Sequence, residues 1–143
     1  MIEGPKITSH FFWKEVYCKC GKCGEMPKSV NFNVQMFAKV LEKVRKTVNK
    51  LAAKYDLNLG EIHLIITSWY RCYDKNSAHS TGLAVDIACE NNIMRFLITS
   101  AAIKCGITRI GEYVPNQNRK IIHLDIDDTD LQKRPLYQLW VEA

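Results

Sequence analysis

Long apolar runs are missing from this chain. No stretch approaches the ~20 residues that a membrane-spanning helix requires, so no membrane partner is expected. Glycine and proline are scarce, seven and four in 143 residues, and no low-complexity run, internal repeat or linker divides the sequence. Those gaps leave no basis for a repeat array or a second domain. The opening segment MIEGPKITSHFFWKEV lacks the basic-then-apolar order of a secretory signal, so synthesis in the cytoplasm is the expectation. A thiol-protease setting is missing too. Cys72 adjoins Arg71, but no histidine, aspartate or asparagine stands in a recognisable thiol-protease context.

What is present suits a single domain, residues 1–143. With 47% hydrophobic and 24% charged residues, the chain can bury a real core. The net charge of +5 suits an acidic partner, either nucleic acid or an anionic polymer such as a bacterial cell wall; it is equally compatible with a solvated basic face.

The six cysteines divide into a cluster and three isolated residues. Cys18, Cys20 and Cys23 fall within CKCGKCGE, a C-x-C-x-x-C arrangement closer to a metal knuckle than to a small secreted disulfide scaffold. A fourth ligand would be required, and Cys72, in the turn RCYDKN, is the best candidate. A structural zinc at these four cysteines, one or two disulfides, and free thiols all remain open. Cys89 and Cys105 each follow an apolar segment and read as small core residues.

Hydrophobic periodicity organises the rest. TSHFFWKEVYC begins with Ser and Thr and predicts a short capped helix. From Phe37, apolar residues recur at Val40, Leu41, Val44, Val48, Leu51, Ala52 and Tyr55, a helical stripe ending near DLNLG. EIHLIITSWY, rich in β-branched and aromatic residues, predicts a strand, and LAVDIA a second. NNIMRFLITSAAIKCG predicts a helix capped by Asn91 or Asn92 and stopped by Gly106. ITRIGEYV, KIIHLDID and LYQLWV predict further strands, the first two joined by the loop PNQNR. This order gives an α+β domain with a mainly antiparallel sheet.

Chemistry concentrates in two of these segments. In SAHSTGLAVDI, His79 and Asp86 stand seven apart and can converge only if the chain turns between them, which Gly82 permits. In IIHLDID, His123, Asp125 and Asp127 alternate with Leu124 and Ile126 and so share one strand face. His79, Asp86 and His123 form a two-histidine, one-carboxylate set suited to a catalytic Zn²⁺ with a fourth position left for water.

SWYRC, SAHSTGLAVDI, RIGEY and IIHLDI together resemble the zinc D-alanyl-D-alanine carboxypeptidase family. That family takes in cell-wall peptidases, phage endolysins and vancomycin-resistance dipeptidases, and shares its fold with the Hedgehog signalling domain. The pattern S-x-H-x-x-G-x-A-x-D with a later H-x-D is complete here, Ser68, Tyr70 and Arg71 fill the upstream S-x-Y-R element, and the opening SHFFWKEVYCKCG is similar to the start of small phage and bacterial members. The resemblance implies a Hedgehog/DD-peptidase-like fold, with His79, Asp86 and His123 as zinc ligands. It implies that Arg71 polarises the scissile carbonyl or holds a substrate carboxylate, and that Ser77 hydrogen-bonds near metal or substrate. His10 and His63 match no ligand and read as structural.

The sequence departs from better-known relatives at the general base. Where many place an acid three residues before the last histidine, Lys120 stands here and is expected to point away. Asp125 leads as base, with an alternative role orienting His123; Glu112 and Asp127 are the other carboxylates. The implied activity is zinc-dependent hydrolysis of peptidoglycan stem peptides by a monomer, as an endolysin-like endopeptidase or a D,D- or L,D-carboxypeptidase, in a phage-type lysis setting at the bacterial wall with no nucleic-acid partner. A non-catalytic metal-stabilised binding module of the same fold is the alternative.

Overall fold

The computed structural model of the chain describes residues 4–113, 120–128 and 138–142. Its longest element is helix α2, Lys28–Lys54, which follows a one-turn helix α1, Trp13–Val16. Val30, Val34, Phe37, Ala38, Leu41, Val44, Val48, Leu51 and Ala52 of α2 are all buried, at the three- and four-residue spacing of one helix face. The helix thus begins ahead of Phe37, and Val30 and Val34 extend the same stripe. It ends at DLNLG, as the periodicity implied, where Asp56 takes a left-handed conformation (φ 56°). The short N-terminal helix is also capped differently from the sequence expectation. Phe12 is the N-cap, and the Glu15 carboxylate accepts from the Phe12 amide at 2.8 Å, while Ser9 lies outside the helix.

Five strands form a mixed sheet in the order β1-β2-β4-β3-β5: β1 Ile66–Ser68, β2 Ala84–Ala88, β3 Arg109–Tyr113, β4 Ile121–Asp125 and β5 Gln138–Glu142. All neighbours are antiparallel except β3 and β5, which are parallel. The architecture is α+β, as the element order implied. Strand β1 is far shorter than EIHLIITSWY suggested. Ile62, Leu64 and Ile66 are buried while His63 and Ile65 are exposed, so the alternation is real. At Ile62, however, the backbone bonds to a helix side chain. Asn49 of α2 accepts from the Ile62 amide at 2.8 Å and donates to its carbonyl at 3.0 Å. The loop PNQNR lies outside the described residues.

Register decides which side chains share a face. Val85, Ile87, Ile122, Leu124 and Ile110 join one core cluster with Phe37, Leu41, Val44 and Val48 of α2 and Leu97, Ile98, Ala101 and Ala102 of α3, Asn92–Lys104. Asn91 caps α3 by accepting from the Met94 amide at 2.9 Å. Because side chains alternate, the other face must carry Asp86, His123, Asp125, Arg109 and Gly111. The pairing stacks them: Asp86 opposite His123, Gly111 opposite His123 on its other side, and Arg109 opposite Asp125. A one-residue slip would exchange these polar groups with the core. Among the described residues, no helix is long and apolar enough to cross a membrane.

Candidate metal centre

The turn between β1 and β2 delivers the first histidine. Ala78–Thr81 is a single 3₁₀ turn whose N-cap is Ser77, the hydroxyl accepting from the His79 amide at 3.3 Å. Its C-cap is Gly82 at φ 79°, where a Cβ would come within 2.8 Å of Val34 and 3.2 Å of the Val30 carbonyl. Only glycine both adopts that backbone and lets the turn sit so close to α2. Trp69 fixes the turn from the other side. Its indole donates to the Gly82 carbonyl at 2.8 Å, and its ring meets Phe11 and Phe37 edge-on.

His79, Asp86 and His123 then converge, with 2%, 4% and 5% of their surfaces exposed. One atom from each lies within 4.8 Å of the others. The ring nitrogens can be assigned from their partners. His79 Nδ1 is 2.6 Å from the Trp69 carbonyl, an obligate acceptor, so Nδ1 carries the proton and Nε2 holds a bare lone pair in the neutral ring. His123 Nε2 is 2.7 Å from Asp125 Oδ2, which likewise leaves Nδ1 bare when the ring is neutral.

Both bare nitrogens face one oxygen. Asp86 Oδ1 is 3.3 Å from His79 Nε2 and 3.0 Å from His123 Nδ1. His79 Nε2 is buried and makes no hydrogen bond. Lone pairs facing a carboxylate without a proton repel, so the cluster requires either imidazolium charge or a cation among the three atoms. Zinc–nitrogen and zinc–oxygen bonds of about 2.0–2.1 Å in a tetrahedron put neighbouring ligand atoms about 3.3 Å apart. The two separations from Asp86 Oδ1, 3.3 and 3.0 Å, are close to that spacing, and the three residues could hold a zinc ion.

The electrostatics describe the metal-free alternative. Burial pushes the Asp86 carboxyl up, but the His123 hydrogen bond and the charge of His79 and His123 hold it well below the usual carboxylate range. Burial opposes charge on His123, yet Asp125 and Asp86, one on each ring nitrogen, raise its pKa above the ordinary value.

Arg71 is tied to the same carboxylate, donating through Nη2 to Asp86 Oδ2 at 2.6 Å. Nη1 meets Asp74 at 3.4 Å, and Nε meets Ser68 at 3.0 Å. Glu90 pairs with Lys120 at 3.2 Å on the surface, which turns Lys120 away from the cluster. Asp125 is fully buried between His123 and Arg109, whose Nε lies 2.6 Å from its Oδ1. Its carboxyl is pushed up by burial but brought below its usual value by His123 and Arg109. Asp127 is also buried, accepting from Thr81 at 3.2 Å. Glu112 instead holds Arg95 and Thr99 of α3. His10 anchors the N-terminal segment on Glu42, and His63 is exposed.

Three contributors escaped the sequence reading. Trp69 acts through its backbone carbonyl, which no residue pattern reports. Arg109 shares the strand face of Gly111, but its burial depends on β4 lying beside it. Trp140 of β5 lies 5.5 Å from His123, ring centre to ring centre, where a Cβ at Gly111 would come within 2.5 Å of it. The glycine of RIGEY was the available signal.

The cysteine cluster assembles separately. The sulfurs of Cys18, Cys20, Cys23 and Cys72 lie within 4.8 Å of one another, with Cys23 and Cys72 joined as a disulfide. Cys89 is buried in the core and Cys105 packs against it. A cleft of about 390 Å³, lined by Tyr17, Cys18, Cys23, Met26 and Tyr70 among others, opens beside the cluster and reaches the neighbour of Arg71.

Comparison with protein-family models, with curated proteins and with solved structures finds no match for the chain.

Proposed function

We propose that the protein is a zinc-dependent peptidase acting on the stem peptides of peptidoglycan, with a Hedgehog/DD-peptidase-like fold. The observation that carries the metal is the convergence of two bare imidazole nitrogens on one Asp86 oxygen, each ring oriented through its other nitrogen. The peptidase reading rests on the complete S-x-H-x-x-G-x-A-x-D and H-x-D motifs and the upstream Arg71. Zinc held by His79, Asp86 and His123 would supply Lewis acidity toward a peptide carbonyl and make water nucleophilic near neutral pH.

The chain's own residues take supporting parts. The Trp69 carbonyl and the Asp125 carboxylate fix the two imidazole orientations. Arg71 fixes the Asp86 carboxylate through Oδ2 and is itself held by Asp74 and Ser68; at 26% exposure, its remaining N–H groups would serve an arriving substrate oxygen. A host-lysis enzyme of phage type, working as a monomer, is the corresponding setting.

One observation favours a second reading, a metal-stabilised binding module. Among the described residues, the carboxylates Asp125 and Asp127 are buried and engaged, and Glu112 is spent on α3. Digestion of purified peptidoglycan followed by mass spectrometry separates the two. The peptidase reading expects free D-alanine or new amino termini from the zinc-loaded protein, lost in His79→Ala and His123→Ala. Zinc-loaded protein that releases neither from several peptidoglycan types, while still binding them, would establish the module instead.

A further inference from the structure

Four sulfurs meet where the N-terminal loop crosses the segment after β1. Cys18, Cys20 and Cys23 come from one tight loop, in which Gly21 takes φ 70°, and Cys72 comes from the residue after Arg71. Cys20 Sγ lies 3.2 Å from Cys23 Sγ and 3.4 Å from Cys72 Sγ, and it accepts from the Lys22 amide at 3.3 Å. A crosslink between Cys23 and Cys72 requires only two sulfurs. It gives no reason for a third thiol to contact both, for a fourth to lie within 4.8 Å, or for a backbone amide to point at the third. A tetrahedral zinc–thiolate centre gives all of these, because zinc–sulfur bonds of about 2.3 Å set sulfurs about 3.8 Å apart.

We infer that in the reduced protein Cys18, Cys20, Cys23 and Cys72 hold a second Zn²⁺ as four thiolates, and that the Cys23–Cys72 disulfide is the metal-free, oxidised form of this centre. The inference does not depend on the peptidase reading. The conversion balances against a small-molecule disulfide as oxidant. Cys23 and Cys72 give up two electrons and form the S–S bond. The small disulfide is cleaved to two thiols, taking two protons. Zn²⁺ departs, and Cys18 and Cys20 take up two further protons.

Either form is a clasp. Cys72 adjoins Arg71, and the same two segments are bonded where the Tyr70 amide donates to the Val16 carbonyl at 3.1 Å and Lys19 reaches the Thr67 carbonyl. The sulfur centre therefore fixes the segment that carries Arg71 to the N-terminal loop.

Metal analysis of protein purified with a phosphine reductant tests the inference. The wild type should carry two zincs per chain, Cys18→Ser/Cys20→Ser one, and His79→Ala/His123→Ala one. Cobalt(II) reconstitution should give an intense thiolate-to-metal charge-transfer band in the wild type and the histidine variant, and none in the cysteine variant. Oxidised glutathione should release one zinc equivalent for each Cys23–Cys72 crosslink found by peptide mass spectrometry. Zinc should also protect Cys18 and Cys20 from alkylation in the wild type, a readout that stands if the double variant fails to fold. The inference is overturned if Cys18 and Cys20 alkylate equally with and without zinc, or if the cysteine variant keeps the wild-type zinc content and cobalt spectrum. Failure of the histidine site alone would lower the zinc count but leave the cobalt–thiolate band.

Discussion

Asp125 shows how one contact redirects a role. By its place in the H-x-D motif it could be a base, but its two oxygens are committed, one to buried Arg109 and one to His123 Nε2. A carboxylate behind a metal-bound imidazole fixes its tautomer and raises its basicity, and its loss typically costs 10–100-fold in metal affinity or activity. Asp125→Asn should therefore weaken zinc binding about 10–100-fold, measured by competition with a chromophoric chelator. A variant that binds zinc as tightly as the wild type yet turns over about 100-fold more slowly would make Asp125 the base after all. The sequence pointed to the proposed ligands, because His79, Asp86 and His123 fall in short patterned segments. It could not show which ring nitrogen is bare. That depends on the Trp69 carbonyl and on Arg109, both brought in by tertiary contacts.

At the scale of elements, the helices and central strands were legible because their periodicity is carried by packing. The apolar stripe of α2 reports one buried face, and β2 and β4 are short strands buried along almost their whole length. The strand before Arg71 was overread because alternation reports burial, not pairing, and Asn49 takes the place of a strand neighbour at Ile62. The N-terminal segment is held by a comparable long-range contact. Glu42 of α2 accepts from the Thr8 hydroxyl at 2.8 Å, the His10 amide at 2.7 Å and the His10 ring at 2.9 Å. Burial pushes the Glu42 carboxyl up, but these donors outweigh it and hold its pKa below the ordinary 4.5. A depressed carboxylate stabilises the fold above its unfolded-state pKa and loses that contribution as pH falls through the lower folded value. Acidification from about pH 5 to 3 should thus loosen residues 5–16 first, seen as faster amide exchange there than in α2. Glu42→Gln should show that faster exchange at neutral pH and much less change on acidification. If exchange in residues 5–16 is the same in both proteins at every pH, Glu42 is not the anchor.

For the whole molecule, the proposed metal centre would set how stability depends on pH. Without zinc, His123 carries a carboxylate on each ring nitrogen, and Asp125 and Asp86 raise its pKa against the cost of burial. A raised histidine stabilises fully below its unfolded value near 6.5, and that stabilisation is lost as pH rises through the folded value. Metal reverses the dependence. Zinc binds bare nitrogens, so its binding competes with protons, and the stability it adds grows with pH until the ligands are deprotonated. The gain is set by mass action, about 2.7 kcal/mol when free zinc is 100 times its dissociation constant. The difference in Tm between zinc-loaded and chelator-treated protein should therefore widen from pH 5.5 to 8, measured by thermal denaturation at fixed free zinc. The chelated protein's Tm should lose its His123 contribution as pH rises from 6.5 through the raised folded value. Carrying His79→Ala and His123→Ala through the same series should flatten the difference, leaving only whatever the cysteine centre adds. A zinc-dependent gain that stays constant across this pH range, or persists undiminished in the double variant, would remove the two imidazoles as metal ligands. Asp86 would then have to be explained as the partner of two imidazolium rings, a buried charge cluster with no metal to serve.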